Sequence, residues 1–267
     1  MINFCTLFSS SSGNSTYISN GETDILVDAG GSCKSICDKL LSVGGDISRL
    51  KGILLTHEHI DHIKALKVLT KRFDIPIFAN EKVLSYLVQK DMVSERATLN
   101  EIDLDKPFQI ENLNIKAFKT SHDSLKSNGF VISSKDKSGE SSLGVATDLG
   151  VFSSEILDAL SSCDGVVLES NYDEGMLSCG SYPYMLKRRI MSEKGHLSNL
   201  DCSLASEKLL NHKSKHFILA HLSKENNIPL LARETTISHL NELGARENED
   251  FTLSIASPDK PSSLVTI

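Results

Sequence analysis

The sequence predicts an α/β fold, and three observations carry that expectation. Short apolar runs of strand length recur along the chain, amphipathic helical patterns separate them, and most runs end in a polar or acidic residue. The runs are INFCTLF, DILVDAG, GILLTHEH, PIFAN, NIKAFKT, SLGVATD, DGVVLES and HFILAHL, each the length of a buried strand. After the second run comes SCKSICDKLLSVGG, where Ile36, Leu40 and Val43 recur at helical spacing and Gly44 and Gly45 stop the helix. IKALKVLTKRF, EKVLSYLVQK, SSEILDAL and NLDCSLASEKLLNH behave alike, and ETTISHLNELGARENEDFTLSIA reads as a closing helix and strand. Periodicity leaves open whether the strands form one sheet or two.

At 267 residues and 40% hydrophobic, the chain can bury a full core. No repeat, low-complexity tract or Pro-rich linker divides it, so one domain spanning 1–267 is expected. The first residues lack the basic start and apolar run of a signal peptide, and no stretch reaches the ~18 apolar residues of a membrane span. A cytosolic protein without membrane insertion is the expectation. Cys5, Cys33, Cys37, Cys163, Cys179 and Cys202 are scattered without a CxxC pair, which suits reduced thiols, with Cys33 and Cys37 neighbours on one helix face. The formal net charge of -7 argues against coating nucleic acid through a general field. It permits a local anion site, above all one carrying bound cations.

The stretch THEHIDH is the strongest chemical signal. A buried strand ends at Leu55, and His57, His59, Asp61 and His62 follow where strand gives way to loop. His57 and His59, two apart, can point the same way on extended backbone, and Asp61 and His62 add oxygen and nitrogen ligands at the turn. Four such side chains within six positions at the mouth of a buried strand predict metal binding, because imidazole and carboxylate are the usual ligands of zinc, iron and manganese.

The pattern HxHxDH resembles the signature of the metallo-β-lactamase fold superfamily, whose members hold a two-metal site between two β-sheets flanked by helices. That resemblance implies a four-layer αββα sandwich of two mixed sheets. It also implies roles for residues that end other apolar runs. Asp28 in DILVDAG resembles the aspartate that orients a ligand histidine, His122 in TSHDS a ligand of the first metal, Asp148 in GVATDLG the bridging carboxylate, and His221 in ILAHLS a ligand of the second metal. By this carry-over His57, His59, His122 and Asp148 hold one divalent ion and Asp61, His62, Asp148 and His221 the other, with zinc or manganese the expected metals and iron also accepted. Two cations ~3.5 to 4 Å apart can share a hydroxide and neutralise charge as an oxygen is displaced, so a hydrolase is expected. A redox di-iron site needs an acidic residue where this chain has His59. Glu58, between the two histidines, should point away.

Features outside the ligands favour a phosphodiester substrate. His196 in GHLSN precedes a helix and resembles the short histidine motif with which nuclease members touch the scissile phosphate, as phosphate ligand or general acid; the bland alternative is a capping region. Asp61 and His196 are therefore the catalytic candidates. The loop FSSSSGNST offers small residues, amides and hydroxyls to a phosphate, Ser12 and Asn14 among them. Lys187 and Arg188, with Arg189, precede His196 and can grip flanking phosphates, although a solvated helix face explains them equally well.

SSSSGNST, LESNYD around Glu169 and Asn171, YPYMLKRRI with KGHLSN, and LAHLSKENNIP together resemble the YycJ (WalJ) family of bacterial metallo-β-lactamase-fold proteins, from residue 3 to about 230. The resemblance implies a metal-dependent exonuclease acting on DNA, associated with WalK/WalR cell-wall signalling. Tyr172 departs from the histidine expected in many relatives. Only 25 residues separate His122 from Asp148 and 72 separate Asp148 from His221, too few for a long tRNA-gripping arm or an inserted β-CASP domain. An open site of low sequence selectivity follows. A small ester, thioester or lactone hydrolase, which needs a closed apolar pocket near the metals, and a non-catalytic signalling partner are the alternatives.

Overall fold

The computed structural model describes residues 1–104, 106–137 and 139–267. The first half runs β1 (Asn3–Ser10), β2 (Gly13–Ser19), β3 (Asp24–Val27), α1 (Cys33–Ser42), a 3-10 turn (Ile47–Arg49), β4 (Leu50–Leu54), α2 (Ile60–Ile63), α3 (Leu66–Arg72), β5 (Ile77–Ala79), α4 (Glu81–Gln89) and β6 (Leu99–Glu101). The second runs β7 (Phe108–Ile110), β8 (Leu113–Lys119), β9 (Asn128–Asp136), β10 (Gly139–Ala146), α5 (Ser154–Leu160), β11 (Gly165–Glu169), α6 (Glu174–Cys179), α7 (Tyr184–Ile190), α8 (Asn199–His212), β12 (His216–Ala220), α9 (Pro229–Glu242) and β13 (Thr252–Ile255). A last strand, β14 (Val265–Thr266), returns to pair with β1.

Among the described residues the strands form two sheets of seven, ordered β14-β1-β2-β3-β4-β5-β6 and β13-β12-β11-β10-β9-β8-β7. Both are mixed. β1 to β3 and β7 to β10 pair antiparallel, whereas β3 to β6 and β10 to β13 pair parallel. Period-two alternation divides each strand between two cores. Ile25, Val27 and Leu54 face Phe130, Ile132, Val145, Val167 and Ile218 across the space between the sheets. Leu26, Ile53 and Leu55 face outward onto Ile36 and Leu40 of α1 and Leu66 of α3. On the far side Val166, Leu168 and Leu219 meet Ile156, Leu160, Leu209 and Leu240 of α5, α8 and α9. Strands covered on both faces read as unbroken apolar runs, which is why they were visible in the sequence. The layers are helix, sheet, sheet, helix, as the resemblance implied.

Two departures from the expected elements bear on the site. IKALKVLTKRF is not one helix, because Ala65 N–H donates to Ala29 C=O at 2.9 Å and breaks the run between α2 and α3. That bond ties the segment after HxHxDH to the end of β3. FSSSSGNST, expected as a loop, is mostly strand: Ser9 and Ser10 end β1, Asn14 and Ser15 open β2, and Ser12 lies at the exposed tip.

Gly30 sits where these pieces meet. Its N–H donates to Asn14 C=O at 2.9 Å, and a Cβ there would lie 1.5 Å from Asp61 O and 2.6 Å from Asn14 N. Only glycine lets the β1–β2 hairpin and the histidine motif approach so closely. Gly30→Ala is expected to destabilise the fold by about 1–3 kcal/mol in urea denaturation and to lower bound metal per chain. Wild-type stability with full metal would contradict this packing.

Candidate metal centre

The strands deliver their terminal residues to one place. Asp28 follows β3, Thr56 to His62 follow β4, His122 follows β8, Asp148 follows β10, Glu169 ends β11 and His221 follows β12. Asp28, Asp148 and His221 have φ of 64°, 58° and 59°, the left-handed region that side-chain-bearing residues avoid. Strain of this kind persists only where the surroundings enforce it, and here it turns three polar side chains inward.

Among the described residues the donors form four overlapping groups; Asp148, Glu169, His196 and His221 make one, His57, His62 and Asp148 another, and the remaining two divide the histidine motif between them. The rings of His57, His59 and His122 form a near-equilateral triangle, with centroids 4.6, 5.1 and 5.1 Å apart. Asp61, His62 and His221 form the second group, and in each group the donor atoms lie within 4.8 Å of one another. Asp148 stands between, with Oδ1 3.7 Å from His122 Nε2 and Oδ2 3.3 Å from His62 Nε2.

Hydrogen bonds aim the imidazoles. Asp28 accepts from Thr56 N–H at 2.9 Å, from the Thr56 hydroxyl at 2.9 Å and from His62 Nδ1 at 2.7 Å. Because that hydroxyl donates to Asp28, its oxygen accepts from His57 Nδ1 at 3.0 Å. His122 Nδ1 donates to Gly195 C=O at 3.1 Å, and His221 Nδ1 to Glu169 Oε1 at 2.7 Å. With Nδ1 donating in each ring, Nε2 is the atom left for the centre, and it carries the lone pair whenever the ring is neutral.

Electrostatics show what the cluster lacks. Burial and the neighbouring His62, His122 and His59 push His57 well below the ordinary histidine value, so it stays neutral. Burial opposes charge on His62 and His221 too, but Asp28 and Asp148 raise the first and Asp148, Asp61 and Glu169 the second. Burial likewise works against the Asp61 carboxylate, yet the neighbouring His221 and His62 hold it below the usual carboxylate range. His57 Nε2, His221 Nε2 and Asp148 Oδ2 are buried without a hydrogen-bond partner. Convergent, unpartnered lone pairs beside ionised carboxylates are what a divalent cation satisfies, so this donor set fits metal ions.

His196 lies at the rim. It is half-buried, its ring centroid is 5.1 Å from that of His122 and 5.2 Å from that of His221, and its Nδ1 donates to Glu169 Oε1 at 2.8 Å. Glu169 had no role in the sequence reading. Its Oε2 also accepts from Leu149 N–H at 2.7 Å and Leu197 N–H at 3.1 Å, so this fully buried carboxylate is saturated and holds two histidines and two loops in place. Burial opposes its charge, but His196 and His221 keep it ionised, below the usual range. An acidic residue closing an apolar run, as Asp28 does, was the available signal.

The other candidates are placed as follows. Asn14 Nδ2 lies 3.0 Å from Asp61 Oδ2 and 3.1 Å from His62 Nε2, at the edge of the cluster, while Ser12 Oγ contacts Ser10 Oγ at 3.1 Å. Lys187 Nζ donates to Ser178 C=O at 2.8 Å, and Arg188 stacks over Tyr184, so both are engaged on or beside α7. Arg189 pairs with Asp123, whose Oδ1 is 3.4 Å from His122 Nε2. Glu58 turns to the loop after β8 and accepts from Leu125 N–H at 2.9 Å. Tyr172 is buried, with its backbone paired to Ser198.

Residues 23–222 match the family model described as a beta-lactamase superfamily domain. The chain is similar to exodeoxyribonuclease YycJ of Bacillus anthracis, 34% identical over 98% of both chains. It is similar to exodeoxyribonuclease WalJ of Streptococcus pneumoniae serotype 2, also 34% identical, over 99% of this chain and 97% of that one. In three dimensions it resembles the metallo-beta-lactamase fold protein YhfI from Bacillus subtilis, with a TM-score of 0.72 and 14% identity over 98% of this chain and all of that one. Removing the carboxylate that aims His62 is expected to cost about 10–100-fold in metal affinity, read by chelator competition on Asp28→Ala. Wild-type affinity in that variant would show that the aiming bonds are dispensable.

Proposed function

Given that the chain belongs to the beta-lactamase superfamily and, within it, to the family of the YycJ and WalJ exodeoxyribonucleases, we propose that it is a metal-dependent exodeoxyribonuclease of low sequence selectivity. The observation that carries the proposal is the pair of donor groups about a shared carboxylate. His57, His59, His122 and Asp148 hold one divalent ion in this reading, and Asp61, His62, Asp148 and His221 the other. Zinc, manganese and iron all suit such mixed ligands. Bound there, the ions supply Lewis-acid chemistry, lowering the pKa of water and offsetting charge on a phosphodiester.

The chain's own groups do the rest. Asn14 Nδ2 steadies Asp61 at 3.0 Å, and Asp61 is the carboxylate that takes a proton from the attacking water. His196 donates Nδ1–H to Glu169, which fixes the ring, and in this reading its Nε2 delivers a proton to the leaving sugar oxygen. Glu169 acts only through its histidines, because its acceptor positions are filled. Free thiols at Cys5, Cys33, Cys163 and Cys202 suit the reducing cytosol, where we place the protein. Among the described residues no helix is long and apolar enough to cross a membrane.

The test is digestion of end-labelled single- and double-stranded DNA and RNA by metal-stripped protein, reloaded separately with Mn²⁺ and Zn²⁺. Metal-dependent release of terminal nucleotides from DNA is the expected result; turnover of small esters with every polymer left intact would reject the nuclease reading. Asp148→Ala should abolish cleavage and lower metal content. His196→Ala should keep its metal and lose about 10²–10⁴-fold in kcat, and loss of metal in that variant would contradict the assigned role.

A further inference from the structure

We propose that the lysine-lined cavity beside His122 is the track for the sugar-phosphate backbone of the strand trailing away from the scissile linkage. This rests on the exonuclease reading above. The cavity, about 810 Å³, adjoins the metal centre through His122, which lines it while its Nε2 faces Asp148. Lys82 from α4, Lys119 from the end of β8, Lys126 from the loop that follows and Lys194 from the segment before His196 all reach it, against one carboxylate, Glu155.

That balance runs against the molecule as a whole, whose formal charge is -7. Three lysines elsewhere on the surface are neutralised, Lys67 by Asp91, Lys106 by Asp103 and Lys213 by Asp164, and what sets the cavity apart is that four lysines share one concavity. Among the described residues the lysines of the cavity are exposed and make no ion pair. Unpaired ammonium groups around one concavity repel each other unless an anion enters, and a run of phosphates is the ligand that spans them.

The walls are built rather than loose. Asn80 Nδ2 donates to Lys126 C=O at 3.0 Å, Asp123 N–H to Lys194 C=O at 3.0 Å, and the Ser121 hydroxyl to Glu193 C=O at 2.6 Å. Glu58, between the two histidines of the motif, secures Leu125 N–H in the same wall. The lysine-bearing segments are therefore tied to one another and to the metal centre. An enzyme that removes terminal nucleotides has one long flank of strand to hold, and the cavity lies at the His122 end, away from the Asn14 contact with Asp61 and His62. Lysine offers a point charge without the forked geometry that reads base edges, which suits phosphate contact without sequence preference.

The experiment uses the metal-loaded enzyme, a fluorescent single-stranded oligonucleotide with phosphorothioate linkages, and bis(4-nitrophenyl) phosphate as a substrate too small to span the cavity. Lys119→Ala/Lys126→Ala should weaken oligonucleotide binding roughly 10-fold and reduce the slope of log affinity against log salt by about 1.4, the loss of two phosphate contacts on a single strand. Lys119→Glu/Lys126→Glu should weaken it further, the arginine pair should restore it, and hydrolysis of the small diester should stay within about twofold of wild type. Unchanged affinity and salt slope in the glutamate variant, with wild-type protein still digesting DNA, would overturn the proposal. So would a parallel loss of small-diester hydrolysis, since the lysines would then act on the centre and not on the strand. Failure of the nuclease reading looks different: the wild-type enzyme itself would release nothing from any polymer.

Discussion

A buried neutral imidazole carries one N–H and one lone pair, and whatever accepts the N–H decides where the lone pair points. The candidate centre is organised around that constraint. Asp28 at the end of β3 fixes His62 directly and His57 through the Thr56 hydroxyl. Glu169 at the end of β11 fixes His221 and His196. Each sheet thus contributes a buried carboxylate at a strand terminus, and each carboxylate aims the histidines of its own half. Asp148, with Oδ1 near His122 and Oδ2 near His62, reaches both groups of donors.

The fold exists in the form needed to make those ends coincide. Residues with alternating side chains fill the space between the sheets, and that shared core fixes the distance between the loops carrying each half. The resulting crowding carries a cost in backbone strain at Asp28, Asp148 and His221. It also excludes any side chain at Gly30, where the hairpin bearing Asn14 meets the backbone of Asp61. Lone pairs left unpartnered in a buried site are unfavourable by themselves, so the apo arrangement is held by its surroundings and stands ready for cations.

Much of this was legible in the sequence for a local reason. The eight apolar runs, from INFCTLF to HFILAHL, announce strands, most of them covered on both faces, and HxHxDH concentrates its donors within one turn of chain. What escaped was tertiary. β2 and β9 lie in polar segments whose burial comes from neighbours rather than from their own composition. Thr56 matters because a hydroxyl falls between two side chains distant in sequence, and Glu169 because four donors from three segments converge on it. The lysines of the cavity are spread from residue 82 to residue 194, so no charge run betrays them, whereas the visible run at Lys187 to Arg189 turns out to be largely engaged with Ser178, Tyr184 and Asp123.

The central claim is that two cations sit in two distinct donor groups joined by Asp148. Anomalous diffraction from crystals of the manganese- or zinc-loaded protein, collected on both sides of the metal edge, tests it most directly. The account predicts two peaks, one enclosed by His57, His59 and His122 and one by Asp61, His62 and His221, each also in contact with Asp148. A single peak, or a second ion bound by His196 and Glu169 in place of Asp61 and His62, would contradict it.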